Sequence, residues 1–201
     1  CQVLLPDKNG GFLDGSPEFE VSAPADSAGE AEIAILSGGG ESPPLLASAV
    51  NRIGTLKPKA VLLLGSQSPD PAKPSAWGDS FLRHYGKEAA SSLLIRGPGD
   101  GVVPAQILDN LFPGKASAGR MSTDIGPLHL AMAGKDETTP SRLGGLLSWL
   151  TQDLETSTQP WKAVILPVKF VNSSGQLDAK LLDTFGPLFE RTGVGFVICQ
   201  G

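Results

Sequence analysis

The chain has 201 residues, of which 40% are apolar and 18% charged, and its formal net charge at pH 7 is −5. This composition is typical of a globular chain of one domain; it excludes intrinsic disorder, and no apolar run reaches the ~18 residues of a membrane-spanning helix. Nucleic acid is not an expected partner, because phosphate backbones are bound by a concentrated basic face and the sequence shows none.

The first residue is a cysteine, Cys1. Bacterial lipoproteins mature with an acylated cysteine at this position, so lipidation of Cys1 is one interpretation and an arbitrary chain boundary is the other. Lipidation predicts an exported protein, periplasmic or associated with the outer membrane and attached to it through Cys1. The second cysteine, Cys199, is expected to be a buried thiol at a strand end, with a Cys1–Cys199 disulfide as the alternative.

The segment Asp7–Gly29 is rich in Gly, Ser, Pro and acidic residues, and it separates two short apolar pieces, Gln2–Leu5 and Phe19–Ser22. This pattern predicts an extended N-terminal arm with edge strands over residues 1–30. Residues 31–201 are then expected to form a single domain.

From Glu32 onward, short apolar runs alternate with segments of helical periodicity. The predicted strands are 33–36, 60–64, 93–95, 128–133, 163–166 and 194–198, and the predicted helices are 43–56, 79–90, 104–112, 139–155 and 177–191, the last with Gly193 as a left-handed cap. The continuous apolar run Ala60–Leu64 favours a strand covered on both faces. Repeated β–α–β units predict a layered α/β fold with right-handed crossovers.

Ligands of open α/β sheets bind at the carboxyl ends of the strands. Those ends hold Gly, Pro, Ser and Gln, and almost no His, Cys or carboxylate. The predicted ends are Ser37–Glu41, Gly65–Gln67, Arg96–Gly101, Pro167–Lys169 and Cys199–Gly201.

In their order and their amino-acid sequence, several segments resemble the calcineurin-like metallophosphoesterases, especially the purple acid phosphatase branch. AEIAILSGGG is similar to the first strand of that family, LKPKAVLLLGSQSPD to its KPDAVLxLGD segment, and LLIRGPGDGV stands where the family has its GNHD loop. GPLHLAMAGKDE, LSWLTQDLETSTQPWKAVILPV and LLDTFGPLFERTGVGFVICQG are similar to the later strands and helices, in the same order across residues 31–201. The resemblance implies a layered metallophosphoesterase-like sheet sandwich with flanking helices, preceded by the N-terminal arm.

The resemblance also implies where metal ligands would stand, and none of the expected ligands is present. The two ligands after the first strand fall at Gly38 and Gly40, the bridging Asp at Ser66, the Asn and His of GNHD at Pro98 and Gly99, a later His at Pro167, and the final His at Gly201. Of the GNHD loop only the trailing Asp is kept, as Asp100. Two dications need several carboxylates and imidazoles around them, so the resemblance implies a metal-free site, no cofactor and no catalysis.

We therefore expect a non-catalytic scaffold or accessory subunit with protein partners, and a cell-envelope complex as its setting if Cys1 carries lipid. Two alternatives stay open: an active metal-dependent phosphoesterase with displaced ligands, and an anion- or nucleotide-binding module that uses the Gly38–Gly40 turn. Trp77, Phe81 and Tyr85 could form a partner surface or belong to the core.

The chain has two histidines. His84, in a polar helical segment, is expected at the surface, whereas His129, in an apolar strand, is expected to be a hydrogen-bonded structural residue. A triad of Ser66, His129 and Asp124 is conceivable, but no G-x-S-x-G nucleophile elbow supports it.

Overall fold

A computed structural model describes residues 4–6, 12–15, 30–37, 43–64, 85–86, 92–97, 119–171 and 174–199. Several predictions fall on residues outside these ranges: Cys1, Gly38, Gly40, Ser66, Trp77, Phe81, His84, Pro98, Gly99, Asp100, Gly201 and the helix at 104–112. Lipid attachment and membrane location therefore stay predictions. Within the described ranges, no helix combines the length and apolar character that crossing a membrane requires.

The described strands are β1 (Leu4–Pro6), β2 (Phe12–Gly15), β3 (Ile33–Ser37), β4 (Ala60–Leu64), β5 (Leu93–Arg96), β6 (Arg120–Ile125), β7 (Leu128–Ala133), β8 (Trp161–Leu166) and β9 (Phe196–Cys199). The described helices are α1 (Pro43–Leu56), α2 (Pro140–Thr156) and α3 (Ala179–Thr192), with a 3-10 turn at Lys135–Thr138. The N-terminal pair β1–β2 forms an antiparallel hairpin.

Two sheets form the body of the fold. The first sheet has the order β3-β4-β5, and its strands are parallel. The second has the order β6-β7-β8-β9, in which β7, β8 and β9 are parallel and β6 is antiparallel to β7. The predicted alternation of strands and helices is thus confirmed for the parallel strands, and β6 is an additional strand.

Apolar side chains pack in three layers, which set the order helix, sheet, sheet, helix. One layer joins α1 to the outer face of the first sheet through residues such as Leu46, Val50 and Val61. A second lies between the two sheets and includes Leu62 and Leu130. The third joins α2 and α3 to the outer face of the second sheet. The predicted layered sheet sandwich with flanking helices is confirmed.

Local sequence features mark where α2 begins and where α3 begins and ends. Thr139 is the N-cap of α2 and Pro140 occupies its first turn, as predicted. The α3 helix begins at Ala179 because the Asp178 side chain accepts hydrogen bonds from the first-turn amides. Its C-cap, Gly193, has φ 73°, the left-handed conformation predicted for it. The predicted start at Leu177 was two residues early, because Leu177 forms a β-bridge with Val171.

One prediction about a single residue needs correction, and one open alternative is decided. Cys199 does end a strand, but its thiol is free and exposed rather than buried, because β9 is the outermost strand of its sheet and Cys199 its last residue. Tyr85 belongs to the core, not to a partner surface: it is 6% exposed, and its hydroxyl donates a 3.0 Å hydrogen bond to the carbonyl of Ser92. Burial raises the pKa of the Tyr85 hydroxyl above its ordinary value.

Candidate functional site

The carboxyl ends of the parallel strands meet at one edge of the sandwich, which we call the carboxyl edge. Its described residues are Ser37 at the end of β3, Leu64 at the end of β4, Arg96 at the end of β5 and Gly97 after it, Met132 and Ala133 at the end of β7, Leu166 at the end of β8 and Pro167 after it, and Cys199 at the end of β9. The two sheets meet here, since a Cβ on Gly97 would lie 3.9 Å from the Sδ of Met132. A ligand site of this fold class belongs at this edge.

Apolar side chains pack against Gly97 at the carboxyl edge. A Cβ on Gly97 would lie 2.9 Å from Cδ2 of Leu64 and 3.2 Å from the carbonyl oxygen of Leu63, so a side chain here would require both neighbours to shift. Leu64 and Met132 are buried, and both belong to the apolar layer between the sheets. That layer therefore extends to the ends of the strands, where a metal-binding hollow would need polar ligands.

The ligand atoms of this edge do not suit paired divalent cations. Pro167 stands after β8, where the resemblance places a histidine, and its ring carries no ligand atom. Ser37 and Cys199 supply only a hydroxyl and a thiol, and in the described ranges no group of three or more His, Cys, Asp and Glu side chains has a metal-binding arrangement. Divalent cations of phosphoesterases require carboxylates and imidazoles, so the described residues do not fit them.

A buried carboxylate, Glu137, lies next to the carboxyl end of β7. Its side chain is 1% exposed and accepts a hydrogen bond from Nε of Arg120 and another, at 3.1 Å, from Nη1 of Arg142. Arg120 also donates to the carbonyl oxygen of Gly145, on α2, at 2.8 Å. Both carboxylate oxygens are thus bonded to guanidinium groups, which makes Glu137 a joint between β6, the 3-10 turn and α2. No sequence pattern pointed to this residue.

A second polar cluster lies at the opposite end of β7, on the face that α2 covers. Nδ1 of His129 is 2.6 Å from Oδ1 of Asp124, and Nε2 is 2.8 Å from Oδ2 of Asp153. The hydroxyl of Ser122 donates to Oδ1 of Asp153 at 2.6 Å, and the amide of Gln159 donates to Oδ2 of Asp124 at 3.2 Å. We call Asp124, His129 and Asp153 the α2 clamp, because they join β6 and β7 to α2.

The environment of the clamp raises the pKa of His129. The hydrogen bond to Asp153 is the largest cause, burial of the ring acts in the opposite direction, and the bond to Asp124 again raises it. The prediction that His129 is a hydrogen-bonded structural residue is confirmed. The triad with Ser66 is not supported, because Nε2, the nitrogen that would face a nucleophile, is bonded to Asp153.

A comparison with solved structures finds a purple acid phosphatase isolated from yellow lupin (Lupinus luteus) seeds, with a TM-score of 0.69 and 12% sequence identity. The match covers 98% of this chain and 42% of the lupin chain, so the present chain spans less than half the length of that protein. The match shows the fold: this chain has a metallophosphoesterase-like arrangement of two sheets with flanking helices, as the resemblance implied. No family model matches the chain, and no curated protein does.

Proposed function

We propose that this protein is a non-catalytic phosphoesterase-fold protein that acts as a scaffold or accessory subunit of a larger assembly. The observation that carries the proposal is the packing at the carboxyl edge, where Leu64 and Met132 surround Gly97. A phosphoesterase uses the same edge of the fold for its metal-bound water.

The chemistry of binding two cations supports this interpretation. A dication that leaves water loses a large hydration free energy, and only anionic or strongly polar ligands offset that loss. Leucine and methionine side chains offer none of this compensation to hard cations, and Pro167 removes the imidazole that would complete the set after β8. On this proposal, the chain has the residues that maintain the fold and lacks those that would perform the hydrolysis.

The competing function is an active phosphoesterase whose ligands have moved. Its support is the fold itself, which the lupin phosphatase shares at a TM-score of 0.69. It would need carboxylates or imidazoles supplied by residues outside the described ranges. Asp100, which the resemblance places at the end of the GNHD loop, is the first residue to test for that role.

Metal content and hydrolysis separate the two functions. We expect the purified chain, after loading with Mn²⁺, Fe³⁺ or Zn²⁺ and gel filtration, to hold substoichiometric metal by mass spectrometry. We also expect an aryl phosphate to be hydrolysed no faster than in protein-free buffer. Two transition-metal ions per chain, together with hydrolysis that Asp100→Asn abolishes, would overturn the proposal. Hydrolysis that Asp100→Asn leaves unchanged, in a chain without bound metal, would indicate a contaminating enzyme and uphold it.

The accessory role has a separate test. In gently prepared extracts of the source cells, we expect the protein to migrate in native electrophoresis at a mass well above that of its own denatured chain. Chemical cross-linking before lysis should preserve the same large species. Migration as a free monomer under both conditions would contradict a scaffold or subunit role, even if the metal test supports the loss of catalysis.

A further inference from the structure

The two ring nitrogens of His129 both face carboxylate oxygens, at 2.6 Å in Asp124 and 2.8 Å in Asp153. An ionised carboxylate can only accept hydrogen bonds, so each nitrogen has to be a donor. A neutral imidazole carries one N–H group, whereas an imidazolium carries two. The geometry therefore requires a doubly protonated, positively charged ring.

The charges that surround the ring favour this state. From β6 and α2 the ring faces Asp124 and Asp153, and from β8 it faces Lys162, which stands opposite His129 in the sheet register. The Lys162 ammonium donates a 2.6 Å hydrogen bond to the carbonyl of Leu154, in the last turn of α2. Two carboxylates thus balance one imidazolium and one ammonium, and both cations lie beneath the C-terminal end of α2, where the helix dipole favours positive charge.

Two further polar groups complete the surroundings. Gln159, in the segment after α2, donates to Asp124 and carries no charge. Glu155, also in the last turn of α2, is bonded to Arg191 of α3 at 3.2 Å, so its charge is already paired.

We propose that the α2 clamp depends on pH. The imidazolium of His129 fastens the last turns of α2 to the second sheet, and loss of one ring proton at alkaline pH releases them. The ring is well placed for this role because its side chain is 10% exposed, against 16% for Asp153 and 52% for Asp124. A neutral ring keeps a single N–H group, so it leaves two acceptors in contact at either Asp124 or Asp153 and loses the charge that strengthens both bonds.

The direction of the effect follows from proton linkage. The fold raises the pKa of His129 above its ordinary value of 6.5. The clamp therefore contributes its full stabilisation below pH 6.5 and loses it as the pH rises through the raised pKa. Helix α2 should loosen on the alkaline side, not on the acid side.

Amide hydrogen exchange of the wild-type protein tests the release directly. For the amides of residues 150–156, we expect the opening equilibrium constant, corrected for intrinsic exchange, to increase as the pH rises through the raised pKa of His129. The total increase should be about tenfold for each unit by which the fold raises that pKa. Those amides of α3 that exchange by local opening, not by global unfolding, serve as the internal control and should keep a constant opening equilibrium. Equal changes in both helices, or no change in α2, would overturn the proposal.

The protonation state has its own measurement, which needs no variant. Long-range ¹⁵N–¹H spectra of the histidine side chains should show both nitrogens of His129 protonated at pH 6.5, the ordinary pKa of histidine, where half of an unperturbed population would already be neutral. A neutral tautomer at this pH would refute the clamp.

The substitution Asp153→Asn removes the need for the second proton while keeping the shape. The new amide nitrogen can donate to Nε2, the remaining oxygen still accepts from Ser122, and a neutral ring then satisfies both contacts. We expect the pH dependence of α2 exchange to disappear in this variant. The matched control is Asp183→Asn, which removes an exposed carboxylate of α3, and it should keep the wild-type dependence. Persistence of the dependence in Asp153→Asn would contradict the proposal.

Discussion

The guanidinium of Arg120, on β6, donates a hydrogen bond of 2.8 Å to the main-chain carbonyl of Gly145, in the middle of α2. A Cβ at residue 145 would lie 3.1 Å from Nη2 of Arg120, so a side chain there would require the guanidinium to shift. A Cβ on the preceding Gly144 would meet nothing within 4 Å. The two adjacent helical glycines thus differ in the space that surrounds them.

Alanine substitutions at these two positions should have unequal effects. Gly144→Ala is expected to stabilise the protein by about 0.5–1 kcal/mol, because alanine loses less backbone entropy than glycine in a helix. Gly145→Ala should lose most or all of that gain, since its methyl group displaces Arg120 from both Gly145 and Glu137. Urea unfolding of the two variants measures the difference, and equal gains would show that Arg120 adjusts freely.

Replacing the buried carboxylate Glu137 should weaken the joint between β6 and α2. We expect Glu137→Gln to cost about 2 kcal/mol of unfolding free energy, because the neutral amide loses one charge-assisted bond and leaves a guanidinium partly unpaired. The control is Asp136→Asn, at an exposed position in the same 3-10 turn, which should change stability by less than about 0.5 kcal/mol. Similar losses in both variants would assign the effect to the turn rather than to the buried pair.

Gly97→Ala tests whether the carboxyl edge is as closely packed as its distances indicate. The added methyl would lie 2.9 Å from Cδ2 of Leu64 and 3.2 Å from the main-chain oxygen of Leu63, so we expect a loss of about 1–3 kcal/mol in urea unfolding. Gly86→Ala, where a Cβ meets nothing within 4 Å, is the control and should not destabilise the protein. A neutral Gly97→Ala would mean that the edge has room for a ligand.

The global stability should also depend on pH through His129. Above pH 6.5 the unfolded chain releases the proton of this histidine, while the folded chain retains it up to the raised pKa. The folded state then binds more protons, so the free energy of unfolding falls as the pH rises through this interval. Urea unfolding across the interval should show the fall in the wild type and in His84→Gln, which removes the only other histidine, but not in His129→Gln. The same fall in all three proteins would assign it to other groups.

Local sequence patterns predicted most of the described parallel strands and the helices α1, α2 and α3. Burial of one face of a strand or helix makes apolar residues recur at a regular spacing along the chain. The patterns missed β6, whose buried Met121 and Ile125 alternate with exposed Ser122 and Asp124. That alternation was a readable strand signal, but it is short and polar. The same patterns placed Cys199 correctly at a strand end and wrongly in the interior, since a single strand does not reveal whether it lies at the edge of its sheet.

Some features of the candidate site could likewise be predicted from the sequence, and others could not. Pro167 could be placed at the end of β8 from the sequence, and its inability to replace a histidine follows from its identity. The role of Asp153 could not be predicted, because it lies 24 residues from His129 and the two meet only when α2 packs on the second sheet. Burial of Glu137 between two arginines depends equally on three separate elements.

The sequence alone determined the order of the parallel strands and of helices α1, α2 and α3, and the scarcity of metal ligands at the predicted strand ends, because periodicity and side-chain chemistry are local properties of the chain. Only the tertiary structure decided that Leu64 and Met132 pack against Gly97 at the carboxyl edge, and that His129 has an acceptor at each ring nitrogen. These features depend on distances between residues far apart in the chain, and such distances are set when the two sheets and their helices pack together.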